Sequence, residues 1–222
     1  AWESGSLMHW FLGKRNRSKD DAPRTSDSAS RTSDSAPRTS DSAPRTSTPI
    51  IVVSGLPRSG TSLMMQMLHA GGLPILSDDQ RLPDANNPRG YFEFAPVKRL
   101  ASEGAPWMES AQGYGLKVVS PLLMYLPTAY HYAVIFMQRD LDEIVRSQRA
   151  MLARLGQDAS VFDAAKSHAE YTQHLAAVRL WLNRQAHVQV LEVAYRAVIE
   201  SPEETAERVS QFVGRLDVNA MA

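Results

Sequence analysis

Arg58-Ser59-Gly60-Thr61-Ser62 stands where a β-branched apolar run, Ile50-Ile51-Val52-Val53, gives way to an amphipathic pattern from Leu63 to His69. A strand, a loop opened by Gly55 and a helix N-terminus together bind anions. The first N–H groups of a helix lack internal acceptors, and its dipole adds positive potential. In the ATPase loop, Gly-x-x-x-x-Gly-Lys-Ser/Thr, a lysine after the second glycine reaches the terminal phosphates. Here Thr61 fills the lysine position, and the cation, Arg58, lies two residues before Gly60. The loop still suits an anion, but its charge arrives from another direction, which points away from an ATPase.

A second cluster begins at Arg139, which closes the apolar run Tyr132–Met137. Ser147 follows eight residues later, about two helical turns on. A guanidinium and a hydroxyl held at that spacing clamp phosphate oxygens, because the planar fork matches their geometry. Taken alone, the same residues also fit an Arg139–Glu143 pair with a solvated serine. The histidines assemble no site. His168 and His174 are six residues apart, the wrong spacing for a shared helix face, and His69, His131 and His187 read as structural or solvated.

Four apolar runs must carry these residues: the one after Pro49, then Gly115–Val119, Tyr132–Met137 and Val188–Val193. Helical patterns lie between them, from Leu141 to about Leu155 and from about Val161 to Gln185. The longer has an apolar stripe of Phe162, Ala165, Tyr171, Leu175, Val178 and Leu182, and a last helix runs from Pro202 to Phe212. Alternating strands and helices predict a three-layer α/β/α fold on a central parallel sheet, of the P-loop NTPase kind. In such sheets ligands bind at the carboxyl ends of the strands, where both polar clusters fall.

Ahead of this region, Ala22–Ser47 repeats Ala-Pro-Arg-Thr-Ser-Asp-Ser, with Ser30 in place of one proline and the last copy incomplete. No position in the unit carries a large apolar side chain, so residues 1–48 are expected to be disordered and 49–222 to form one domain. Leu7–Leu12 is too short to span a bilayer, and its basic run follows rather than precedes it, the wrong order for a secretory signal. The chain contains no cysteine, which excludes disulfides and thiolate metal sites, and its net charge of +0 argues against a broad nucleic-acid surface. The expectation is a soluble, cytoplasmic domain.

With these residues in hand, the chain resembles the sulfotransferases that use 3′-phosphoadenosine 5′-phosphosulfate (PAPS), in their bacterial form. Pro57-Arg58-Ser59-Gly60-Thr61-Ser62 is similar to the family's 5′-phosphosulfate loop, and Arg139 with Ser147 to its 3′-phosphate site. Gly115-Leu116-Lys117-Val118-Val119-Ser120-Pro121 and Val190–Tyr195 are similar to later strands, the second closing the sheet. The resemblance implies sulfuryl transfer to a hydroxyl or amine on a small-molecule, glycan or lipid acceptor, without a metal. It implies that Arg58, Ser59, Gly60, Thr61, Ser62, Arg139 and Ser147 bind the donor and that Arg58 neutralises the leaving oxygen. The histidine of the family's Lys-x-His-x-Pro is Val119 here. The base role then passes to Glu93, as in carbohydrate-modifying members, set by a Pro/Gly loop between aromatics that shield it and raise its pKa. Alternatively Glu93 starts a helix, with Tyr91 and Phe92 in the core. Lys117 either assists at the transferring group or caps its strand. Family members often carry a further basic segment over the 3′-phosphate, but no Arg-Lys-Gly follows Gly214, as in a short subfamily or a truncated chain. Two other readings stay open: a P-loop kinase or NTPase, with Asp140 imitating a magnesium ligand, and a nucleotide-binding module without catalysis.

Overall fold

The structure is a computed structural model that describes residues 48–78, 90–154, 156, 163–214 and 216–222. The chain divides between Thr46 and Ser47, and all elements below belong to the second unit. The repeats, the stretch Leu7–Leu12 and Phe162 lie outside the described residues.

Four strands form one parallel sheet in the order β2-β1-β3-β4: β1 Ile50–Gly55, β2 Gly115–Val119, β3 Tyr132–Gln138 and β4 Val188–Ala194. Each coincides with an apolar run, to within two residues at either end. β1 is buried at every position, as expected of a central strand covered on both faces. Alternation divides the side chains between two layers. Ile51, Val53, Ile135, Met137 and Val193 pack with Met64, Met65, Leu68, Val209 and Met221. The intervening Ile50, Val52, Val134 and Phe136, all fully buried, point to the opposite face. Burying each such side chain contributes roughly 1.5–3 kcal/mol before the entropy of ordering it is set against it.

The helices are α1 Thr61–Ala70, α2 Leu100–Glu103, α3 Leu141–Arg154, α4 Ala164–Leu182, α5 Tyr195–Glu200, α6 Pro202–Val213 and α7 Val218–Met221. Tight 3₁₀ segments cover Ala95–Arg99, Met108–Ala111 and Ser120–Tyr125. α1 begins two residues before the predicted Leu63, directly after Gly60. α4 begins at Ala164, because Asp163 caps it by accepting the Lys166 N–H. Along α4, Tyr171, Val178 and Leu182 are buried with His174, whereas Ala165 of the predicted stripe is exposed. Tyr195 does not close the last strand. It opens α5, a short helix that polar spacing hid between two longer elements.

The order β2-β1-β3-β4 has a consequence for binding. The chain leaving β1 goes on towards β2, and the chain leaving β3 goes on towards β4 on the other side. The loops after the two central strands therefore diverge and open a crevice at their carboxyl ends. Gly55 pairs with Met137, and Gln138 with Ala194, so the residues beyond all three strands leave the sheet side by side.

Candidate active site

The loop after β1 is shaped by two glycines and one arginine in left-handed backbone conformations. A Cβ on Gly55 (φ 148°) would lie 2.5 Å from Ser59 Oγ and 2.7 Å from the Met137 carbonyl. Arg58 has φ 72°, a region that β-carbon sterics make costly, and Gly60 (φ 100°) is the N-cap of α1. No side chain caps this helix, so the first N–H groups of α1 keep no protein acceptor from a cap. Ser59 and Thr61 are buried and Ser62 is half-buried. The Ser59 hydroxyl has no hydrogen-bond partner among the described residues.

The structure joins this loop to the second cluster. Arg58 Nε donates to Ser147 Oγ at 3.0 Å, and Arg139 Nη1 donates to the Arg58 carbonyl at 3.0 Å. The Arg139–Glu143 pair also forms, Nε to Oε2 at 2.9 Å, and the Arg139 guanidinium lies over the Tyr195 ring, 4.2 Å from its centroid. Ser147 is therefore held by Arg58, not merely solvated. Glu143 is shared, its Oε1 accepting from Arg196 Nη2 at 3.3 Å. Hydrogen bonds from Arg139 first, and Arg196 after it, hold the Glu143 carboxyl below its ordinary range. Asp140, the imagined magnesium ligand, accepts the Glu143 backbone N–H at 3.0 Å and so caps α3.

Lys117 sits opposite Val53 in the sheet and reaches the first turn of α1. Its Nζ donates to Ser62 Oγ and to the Tyr91 carbonyl, both at 2.8 Å. It thus ties the anion loop to the segment leading to Glu93. Glu93 pairs with Lys98 at 2.8 Å, and its carbonyl accepts from the Asp78 N–H. Tyr91 is buried, and Phe92, with φ 51°, is half-buried and packs against the core.

Tyr195 and Arg196 are the residues that the sequence reading passed over. A Cβ on Gly60 would lie 2.5 Å from Tyr195 Cδ2, so one ring fills the space beside the loop and beneath Arg139. The signal was positional: a residue immediately past a parallel strand belongs at the ligand edge, whatever its type. Among the described residues, no group of three or more His, Asp or Glu is placed to hold a metal ion. No described helix is long and apolar enough to cross a membrane.

Away from this edge, His174 is buried and hydrogen-bonded to Ser120 (Nε2 to Oγ, 2.8 Å). Burial pushes its pKa down to about 4. The folded state thus favours the neutral ring. The associated stability is complete above the unfolded pKa near 6.5 and is lost as pH falls towards 4, on the order of 3 kcal/mol at most. Urea midpoints are expected to fall between about pH 6.5 and 4, and to fall less in His174→Gln, which has no titrating ring.

No family model and no curated protein matches the chain. Among solved structures it is similar to the sulfotransferase domain from the curacin biosynthetic pathway, at 13% identity and TM-score 0.43, covering 74% of this chain and 73% of that one. It is also similar to a sulfotransferase from Alicyclobacillus acidocaldarius, at 13% identity and TM-score 0.48, covering 77% and 84%. The likeness is one of α/β architecture, and the reading of the site rests on the site's own residues.

Proposed function

We propose that the chain transfers the sulfuryl group of PAPS to a hydroxyl or amine acceptor. The observation that carries this reading is the pair of cations at the crevice. Arg58 on the anion loop and Arg139 at the end of the next strand are linked by the Arg139–Arg58 carbonyl bond, and Ser147 lies on Arg58. A donor with phosphates at both its 5′ and 3′ positions needs two anion sites of this kind. A nucleoside triphosphate needs a lysine after Gly60 and a metal ligand, and here Thr61 fills the first position and Asp140 is engaged in capping α3.

In the reaction, the acceptor oxygen or nitrogen attacks sulfur in line with the bridging oxygen. The new bond to sulfur forms as the old S–O bond breaks, and its electron pair passes to the 5′-phosphate oxygen. Charge therefore builds on the leaving phosphate. The N–H groups of the α1 N-terminus and Arg58 stabilise it there, the kind of contact that usually contributes most to such catalysis. Glu93 takes the acceptor's proton, and Lys117 supports the transferring oxygens from its place on Ser62. The acceptor is a small molecule, glycan or lipid, and the chemistry needs no metal, since the donor lacks a polyphosphate tail to neutralise.

Calorimetric titration with 3′-phosphoadenosine 5′-phosphate (PAP), and with ATP and magnesium, tests the donor. Metal-independent preference for PAP is the expected result, and preference for ATP with magnesium overturns the reading. Sulfuryl transfer across an acceptor panel then separates an enzyme from a binding module. Arg139→Ala is expected to weaken PAP about 10- to 100-fold, the value of one or two charge-assisted bonds. Unchanged affinity would remove Arg139 from the donor site.

A further inference from the structure

One carboxylate near the crevice is held by two arginines. Arg139 Nε takes Oε2 of Glu143 at 2.9 Å, and Arg196 Nη2 takes Oε1 at 3.3 Å. Two guanidinium groups, one on each oxygen of a single anion, form a clamp with its jaws already spaced for two oxygens. The rest of Arg139 is engaged by the Arg58 carbonyl and the Tyr195 ring, while its Nη2 has no partner among the described residues. Arg196 is far more exposed, with 71% of its side chain accessible, and its other partner, Glu200, is 3.6 Å away. Such exposed pairs contribute little to stability, so Arg196 gives them up at small cost.

We propose that Arg196 joins Arg139 in gripping the donor's 3′-phosphate, and that Glu143 holds the two arginines as an internal anion until the phosphate takes its place. The proposal rests on the donor reading above. It supplies a second cation beside Arg139 for the 3′-phosphate. A phosphate monoester carries more charge than a carboxylate and offers three acceptor oxygens, so it outcompetes Glu143 on the same two donors. The exchange is direct: Glu143 leaves into solvent, being partly exposed, and Arg196 moves with its new partner.

The test is calorimetric titration of the full chain with PAP and with adenosine 5′-monophosphate, the ratio of the two Kd values reporting what the 3′-phosphate adds. Arg196→Ala is expected to reduce that ratio about tenfold and leave the monophosphate unchanged. Glu143→Gln, which keeps the shape and removes the competing charge, is expected to raise it about threefold. In the double variant the gain from Glu143→Gln shrinks, because Arg196 is the donor it releases. Unchanged melting temperatures establish that the variants fold. A full ratio in Arg196→Ala, or a lowered ratio in Glu143→Gln, overturns the clamp. A parent chain that fails to distinguish the two nucleotides instead overturns the donor reading itself.

Discussion

Arg58→Ala is expected to lower turnover by about 10²–10³-fold and to weaken PAP as well, since PAP already carries the 5′-phosphate charge that Arg58 stabilises as it develops. The magnitude follows from what a single preorganised donor contributes to a developing oxyanion, about 3–4 kcal/mol. The backbone provides a control. Arg58 stands at φ 72°, where glycine is at ease and any side chain is strained. Arg58→Gly therefore removes the same cation and relieves the loop, so it should lose as much turnover while melting no lower than Arg58→Ala. Turnover is measured with an acceptor found by screening, and the melting temperature by scanning calorimetry. Turnover within about threefold of the parent in both variants would exclude Arg58 from the chemistry.

Gly60→Ala carries the largest expected structural effect. A Cβ there would sit 2.5 Å from the Tyr195 ring at a backbone φ of 100°. The substitution combines left-handed strain of roughly 1–2 kcal/mol with overpacking of roughly 1–3 kcal/mol. Pushing the ring aside also disturbs the platform on which Arg139 lies. Gly72 separates these contributions, because it has φ 92° but nothing within 4 Å of its would-be Cβ. Gly72→Ala is expected to cost only the backbone part and to leave nucleotide binding intact. Gly60→Ala is expected to lose further stability in urea titrations and at least tenfold in PAP affinity. Equal losses in the two variants would mean that the ring yields freely and shapes nothing.

The four strands were legible because a parallel sheet buries both faces, and runs such as Ile50–Val53 and Tyr132–Met137 have no other use for so many β-branched and apolar side chains. The loop was legible because glycine spacing reports backbone geometry directly: Gly55 and Gly60 stand where a Cβ would collide. The links between clusters were not legible. Nothing local to Arg58 announces Ser147, and nothing local to Lys117 announces Ser62, because these pairings depend on strand order and register. Short helices were missed for a related reason. α5 holds six residues and one buried side chain, too little for a hydrophobic period to emerge.

Arg58 and Ser147 are 89 residues apart along the chain, and Arg139 reaches back 81 residues to the Arg58 carbonyl. During synthesis the anion loop emerges long before its partners do. A growing chain that ends short of Arg139 has the loop without the second cation, and closing so long a loop is among the slower steps of folding. A doubly phosphorylated ligand that engages both cations would therefore favour chains that extend past Arg139 over those that end before it. Under the proposed function, such a donor would stabilise the folded chain by mass action as well as take part in the chemistry.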